Sequence, residues 1–237
     1  MPGQRRTVGD FFEDCAPVFA HVRDRVADAE PLVTLLATAA FHLAGANFGR
    51  RLYLRAKDAA HNPLFAELNE DPTTVEVAAT VLVTTSCVAT VDLCCASIAR
   101  FAGHVTGELD PTKQEWDFGR WRPPRKPREQ ADWAARMAAL DKRAPSLHVW
   151  LSDLATYDPW LDLYALRNGI VHKWWRRDIT VYAGAIGAPS TPSPFAGAKI
   201  EIHLERAGVL ELDQALSSFY EMAEERWKAC VEAFLRV

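Results

Sequence analysis

An arginine, an asparagine and a histidine stand close together in the segment from Trp160 to Arg177, WLDLYALRNGIVHKWWRR, and their types and spacing suit chemistry on an anion. Arg167 carries a guanidinium that stays protonated at any working pH, so it can hold a phosphate and the charge that builds on one in a transition state. His172 carries an imidazole that titrates near neutrality and can take or return a proton. Asn168 lies four residues before that histidine, on the same flank of a helix, where its amide can donate to a phosphate oxygen or fix the imidazole tautomer. At about 100° per residue, Trp160, Leu163, Tyr164, Leu166, Ile170, Val171, Trp174 and Trp175 cover roughly half of that helix, and Arg167 falls near the middle of the arc. A guanidinium buried there costs on the order of 3 kcal/mol or more unless a carboxylate or phosphate meets it. Lys173, Arg176 and Arg177 fall on the outer face or at the helix end, where Lys173 and Arg176 are candidates for further phosphate contacts.

The stretch LRNGIVH resembles the R-x(4-6)-H motif of the HEPN superfamily, with Arg167, Asn168 and His172 at the motif positions. The resemblance covers about one helix. It implies an all-α helical bundle of the HEPN type, a metal-independent endoribonuclease active in a defence, toxin or RNA-processing system, and catalytic roles for Arg167, Asn168 and His172. One histidine cannot easily serve as both acid and base. The resemblance implies an answer, since HEPN proteins usually dimerise with their motifs facing, so that two copies of His172 and Arg167 would line one cleft. On one ideal helix Arg167 and His172 point about 140° apart, which also favours a second subunit. RNA would then be cut by its own 2′-hydroxyl, with no metal or cofactor. HEPN toxins paired with nucleotidyltransferase antitoxins often carry a tyrosine two residues after the histidine. Trp174 stands there and has no hydroxyl to modify, which argues against that mode of silencing by an antitoxin partner.

Two other readings use the same residues. In one, the domain is a non-catalytic HEPN-like module whose groove binds RNA, a nucleotide or a partner protein. In the other, an unrelated helical bundle pairs Arg167 with an acid for structural reasons alone. No Gly-rich phosphate loop, G-x-S-x-G elbow or H-E-x-x-H run occurs in the chain.

The elements that must position this helix follow from apolar spacing. A first helix is expected from about Val8 to Ala29, with Phe11, Phe12, Cys15, Val18, Phe19, Val22 and Val26 recurring at helical spacing, and a second from Pro31 to about Ala60. The pair Asp71-Pro72 provides a cap and first-turn proline for a third helix running to about Ala102. Its only acid between Glu76 and Arg100 is Asp92, so the economical expectation pairs Asp92 with Arg167 to orient the guanidinium. A Pro-rich basic loop is expected at about 103–128, where Arg120, Arg122, Arg125 and Lys126, interleaved with Trp116, Phe118 and Trp121, could track a phosphate backbone and stack bases, or could be a solvated connector. Helices from about Glu129 to Arg143 and Ser146 to Thr156 follow, and Asp158-Pro159 caps the motif helix. Alternation in DITVYAGA and AKIEIHLE predicts a β-hairpin at about 178–206, before a closing helix from Leu212 to Val237.

With 237 residues and 49% hydrophobic content, the chain reads as one helical domain with a sizeable core. Its net charge of -4 supplies no global attraction for nucleic acid, so RNA contacts must come from local basic clusters. Five cysteines, odd in number and mostly in apolar runs, fit buried thiols in a reducing cytoplasm. The N-terminal arginines precede no apolar run of the kind a signal peptide needs. The nearly charge-free second and third helices approach membrane-spanning length, yet His42, Asn47, Asp92 and several Thr and Ser fit core helices better. His42 itself reads as a core histidine satisfied by the backbone.

Overall fold

The computed structural model describes residues 6–57, 72–106, 118–124, 126–173, 179–182 and 199–237, of which the side chains at 56–57, 72–74, 105–106, 120, 170–173, 179–182 and 199–200 lie outside the description. The class is all-α, a helical bundle with a small β insertion before the C-terminal helix. Its helices are α1 (Val8–Arg25), α2 (Glu30–Lys57), α3 (Pro72–Thr106), α4 (Phe118–Trp121), α5 (Pro127–Arg143), α6 (Pro145–Thr156), α7 (Asp158–Lys173) and α8 (Leu212–Leu235). The strands are β1 (Ile179–Tyr182), β2 (Lys199–Leu204) and β3 (Gly208–Glu211), antiparallel in the order β1-β2-β3.

The chain forms two compact units. One comprises Met1–Ala44, Ala89–Tyr157 and Ala223–Val237, and the other Gly45–Val88 and Asp158–Met222. In the first unit, α1 starts with a capping box in which the Thr7 hydroxyl accepts from the Asp10 N–H and the Asp10 carboxylate accepts from the Thr7 N–H. Of the apolar residues expected on it, the helix buries Phe11, Cys15, Val18 and Val22, while Phe12 is exposed and Phe19 half-buried. Phe11 meets Trp227 edge-on with ring centroids 5.7 Å apart, and Phe101 meets Phe234 the same way at 5.6 Å. Helix α6 is tied to α8 where the Ser146 hydroxyl donates to the Ala233 carbonyl at 2.7 Å and the Trp150 indole donates to the Arg226 carbonyl at 2.9 Å. Those are backbone carbonyls, so these contacts do not depend on the side chains at 233 and 226.

In the second unit, Gly49 lets α2 approach α3 closely. A Cβ there would come within 3.0 Å of Val83 and 3.2 Å of Leu82. The β insertion buries Ile202 and Leu204. The expected hairpin is present in the register Ile179↔Ile202 and Tyr182↔Lys199. A third strand, β3, was not anticipated. It pairs with β2 in the register Leu204↔Gly208 and Ile202↔Leu210, and Gly208 takes the left-handed φ of 77° where the chain re-enters the sheet.

The expected loop at 103–128 requires correction. Helix α3 continues to Thr106, Phe118–Trp121 forms a helical turn, and α5 begins at Pro127. Phe118 and Trp121 are buried, and the Trp121 indole donates to the Cys95 carbonyl at 3.1 Å. They are core residues and are not available to stack on a base. Trp116 lies outside the described residues. The segments Glu30–Arg55 and Val75–His104 are long and apolar enough to cross a membrane, and 56% and 61% of their most apolar stretches are buried within the protein.

Candidate functional site

Helix α7 carries the residues singled out by chemistry. Its buried side chains are Trp160, Asp162, Leu163 and Leu166, which lie within about half of the circumference. Arg167 falls at one edge of that buried arc and is half-buried, not sealed in the core as its place in the sequence arc suggests. Its guanidinium carbon sits 5.5 Å from the centroid of the Tyr164 ring, one turn back on the same helix, and Tyr164 in turn packs against Trp160 at 5.5 Å. An aromatic face attracts a cation and lets the long stem lie along apolar surface while the head reaches water. Asn168, the next residue, is half-buried as well. The helix continues through position 172, and the side chains of His172 and Lys173 lie outside the described residues, as does Arg176 entirely.

The buried charge of this helix is Asp162, which the sequence reading passed over. It is 2% exposed. Its carboxylate accepts from the backbone N–H of Arg206 at 3.1 Å and of Ala207 at 2.9 Å, and from the Arg206 guanidinium at 3.2 Å. The same guanidinium reaches Asp158, one turn earlier, at 3.0 Å. These contacts fix the β2–β3 turn against the first turns of the motif helix and satisfy a carboxylate that would be costly alone. The only sequence trace was the presence of two acids four residues apart, Asp158 and Asp162, on an otherwise apolar helix.

Asp92 belongs to the first unit. Within its own unit the Asp92 carboxylate accepts the N–H of Phe118 at 3.1 Å, which caps the turn of α4. Among the expected RNA contacts, Arg122 and Lys126 are exposed, with the Arg122 guanidinium 5.7 Å from the Phe118 ring and Lys126 3.6 Å from Glu129. Arg125 and the side chain of Arg120 lie outside the described residues. His42 is half-buried on α2, and burial holds its imidazole below the usual pKa. Its ring meets that of Phe41 edge-on at 6.2 Å. Among the described residues, no three His, Cys, Asp or Glu side chains gather as metal ligands would.

Comparison of the chain with protein-family models, with characterised proteins and with solved structures returns no match.

Proposed function

We propose that the protein is a HEPN-like, metal-independent endoribonuclease of a defence, toxin or RNA-processing system, acting in the cytoplasm. The observation that supports this most is the state of Arg167, half-buried over the Tyr164 ring beside a half-buried Asn168, on a regular helix that carries His172 one turn further on. A guanidinium held against an aromatic face is restrained, and its planar fork matches the oxygens of a phosphate. In this reading His172 moves the proton of the 2′-hydroxyl or of the leaving 5′-oxygen, Arg167 holds the attacked phosphate, and Asn168 donates to a phosphate oxygen. A homodimer brings two copies of the motif together, so that one histidine acts as base and the other as acid.

The alternative is a non-catalytic module that binds RNA, a nucleotide or a partner protein through the same helix, and the net charge of -4 favours it. Incubating the purified protein with mixed single-stranded RNA in EDTA separates the two. Cleavage that leaves 2′,3′-cyclic phosphate ends, lost in both Arg167→Ala and His172→Ala, supports the nuclease. Binding without cleavage supports the module.

A further inference from the structure

The C-terminal half of α2 reads RRLYLRAK from Arg50 to Lys57, four cations in eight residues with no acid among them. Cations in the last turn of a helix are commonly explained by the negative end of its dipole, but Arg50 and Arg51 stand seven and six residues before Lys57 and lie outside that range. Elsewhere in the chain, Arg6, Arg23, Arg100, Arg206 and Arg236 each meet a carboxylate. Among the described residues, no carboxylate lies within ion-pair distance of Arg50, Arg51 or Arg55. Arg50 and Arg51 are half-buried, and the Nε of each is sealed from solvent with no hydrogen-bond acceptor. The Arg50 guanidinium rests instead on the Tyr220 ring at 4.8 Å. Arg51 and the exposed Arg55 thus have no carboxylate partner among the described residues, and an anion would supply one.

The same stretch has an apolar side chain in the open. Phe48 is 53% exposed. Arg51 and Arg55 follow it by three and seven residues, so the three side chains lie within about 60° of one another on the helix. The nearby acids are on another side. Glu76, Asp213 and Glu211 act on Tyr53, which burial first and those acids next hold well above its ordinary pKa, and Tyr53 is about 140° or more around the helix from Phe48, Arg51 and Arg55.

We propose that the α2 face formed by Phe48, Arg51 and Arg55 binds single-stranded RNA, with a base stacked on Phe48 and the flanking phosphates held by the two guanidiniums. An exposed aromatic ring beside unpaired guanidiniums is the combination that single-strand binding uses, because every base has a face to stack and every nucleotide a phosphate. Charge selects the occupant. An apolar partner would leave the arginines unanswered, whereas a polyanion answers every one of them along its length. The proposal rests on the RNA reading above and extends it to residues outside the motif helix.

The test measures binding of a fluorescein-labelled, fully 2′-O-methylated single-stranded RNA of mixed sequence to the full chain, by anisotropy at several salt concentrations. This probe cannot be cut by its own 2′-oxygen, so binding is read apart from cleavage. Wild type should bind, Phe48→Ala should weaken binding at least fivefold, and Phe48→Trp should restore it. Arg51→Gln with Arg55→Gln should weaken it at least tenfold and lower the slope of log Kd against log salt by between one and two. Equal affinity in all variants overturns the proposal, as does absence of wild-type binding. A change in sedimentation mass on Phe48→Ala with no change in RNA affinity overturns it in favour of a protein contact. Cleavage of unmodified RNA with no effect of these substitutions on affinity sinks this surface alone, while binding through it without cleavage sinks only the nuclease.

Discussion

The carboxylate of Asp162, on the motif helix α7, holds the backbone N–H groups of Arg206 and Ala207 at the β2–β3 turn and the Arg206 guanidinium besides. A buried acid therefore joins the helix bearing Arg167 and Asn168 to the β insertion, at a point 44 residues further along the chain. Asp162→Ala removes the acceptor from two N–H groups that burial has separated from water, and should cost about 3 kcal/mol in chemical denaturation. Arg206→Ala keeps both backbone N–H groups in place and should cost about 1 kcal/mol or less, since that side chain is partly exposed. Equal effects of the two substitutions would show that the side-chain ion pair, not the backbone contacts, carries the stabilisation.

Two glycines on α2 should respond oppositely to the same change. At Gly45 a Cβ would meet Ser86 at an ordinary 3.4 Å, so Gly45→Ala should stabilise by up to about 1 kcal/mol through helix propensity and a less flexible unfolded chain. At Gly49 the Cβ would press Val83 at 3.0 Å and Leu82 at 3.2 Å, and overpacking should outweigh that gain by about 1 kcal/mol. Thermal melts of both variants, read beside wild type, test the pair.

The pH profile should carry the mark of His42. Burial lowers its folded pKa below the unfolded value, so above that value the ring is neutral in both states and contributes nothing. As pH falls below about 6.5, the unfolded chain takes up the proton more readily than the folded one, and stability declines. The melting temperature of wild type should therefore drop more steeply between pH 7 and pH 5 than that of His42→Gln. Parallel profiles would remove His42 from the acid response.

All five cysteines are buried, and four of them, Cys15, Cys94, Cys95 and Cys230, belong to the first unit. Burial pushes the Cys15 thiol up to about 12 and raises Cys87 and Cys230 as well, so those three carry almost no thiolate near neutrality. A thiol reagent such as Ellman's should react slowly with the native protein and then with all five cysteines in 6 M guanidinium. A fast native phase would mean that one of them opens to solvent.

Arg167→Lys provides a sharper test of the nuclease reading than removal of the side chain. Lysine keeps the charge and loses the planar fork that grips two phosphate oxygens, so cleavage should fall at least tenfold while the unfolding midpoint stays close to wild type. Undiminished cleavage would leave Arg167 as a bystander.

Much of the helical plan was legible because it is local. Apolar spacing places α1, α2, α3 and α8 within a few residues, and Asp158-Pro159 marks the start of α7. What periodicity cannot see is what covers a helix from elsewhere. Asp162 and Arg167 both look misplaced on α7, but the wheel singled out Arg167, which is half-buried against Tyr164, and passed over Asp162, whose short stem leaves it dependent on a turn 44 residues away. The same limit explains Phe118 and Trp121. In a basic, Pro-rich segment they resemble a stacking surface, and only the Cys95 carbonyl and the Asp92 carboxylate, both on α3, show that they belong to the core. Strand β3 was missed because four residues directly before a helix show little alternation, and only Gly208 marked the turn. Phe48, Arg51 and Arg55 were visible as residues, but the exposure of Phe48 and the absence of an acid beside the two arginines among the described residues are facts of three dimensions.

The backbone passes between the two compact units four times, after Ala44, Val88, Tyr157 and Met222, and three of those passages fall inside α2, α3 and α8. Neither unit can therefore be excised as a contiguous cassette, because any cut that frees one severs a continuous helix. Gene fusion has one seam outside a helix, at Tyr157, and even there the N-terminal fragment would carry Gly45–Val88 of the second unit and the C-terminal fragment Ala223–Val237 of the first.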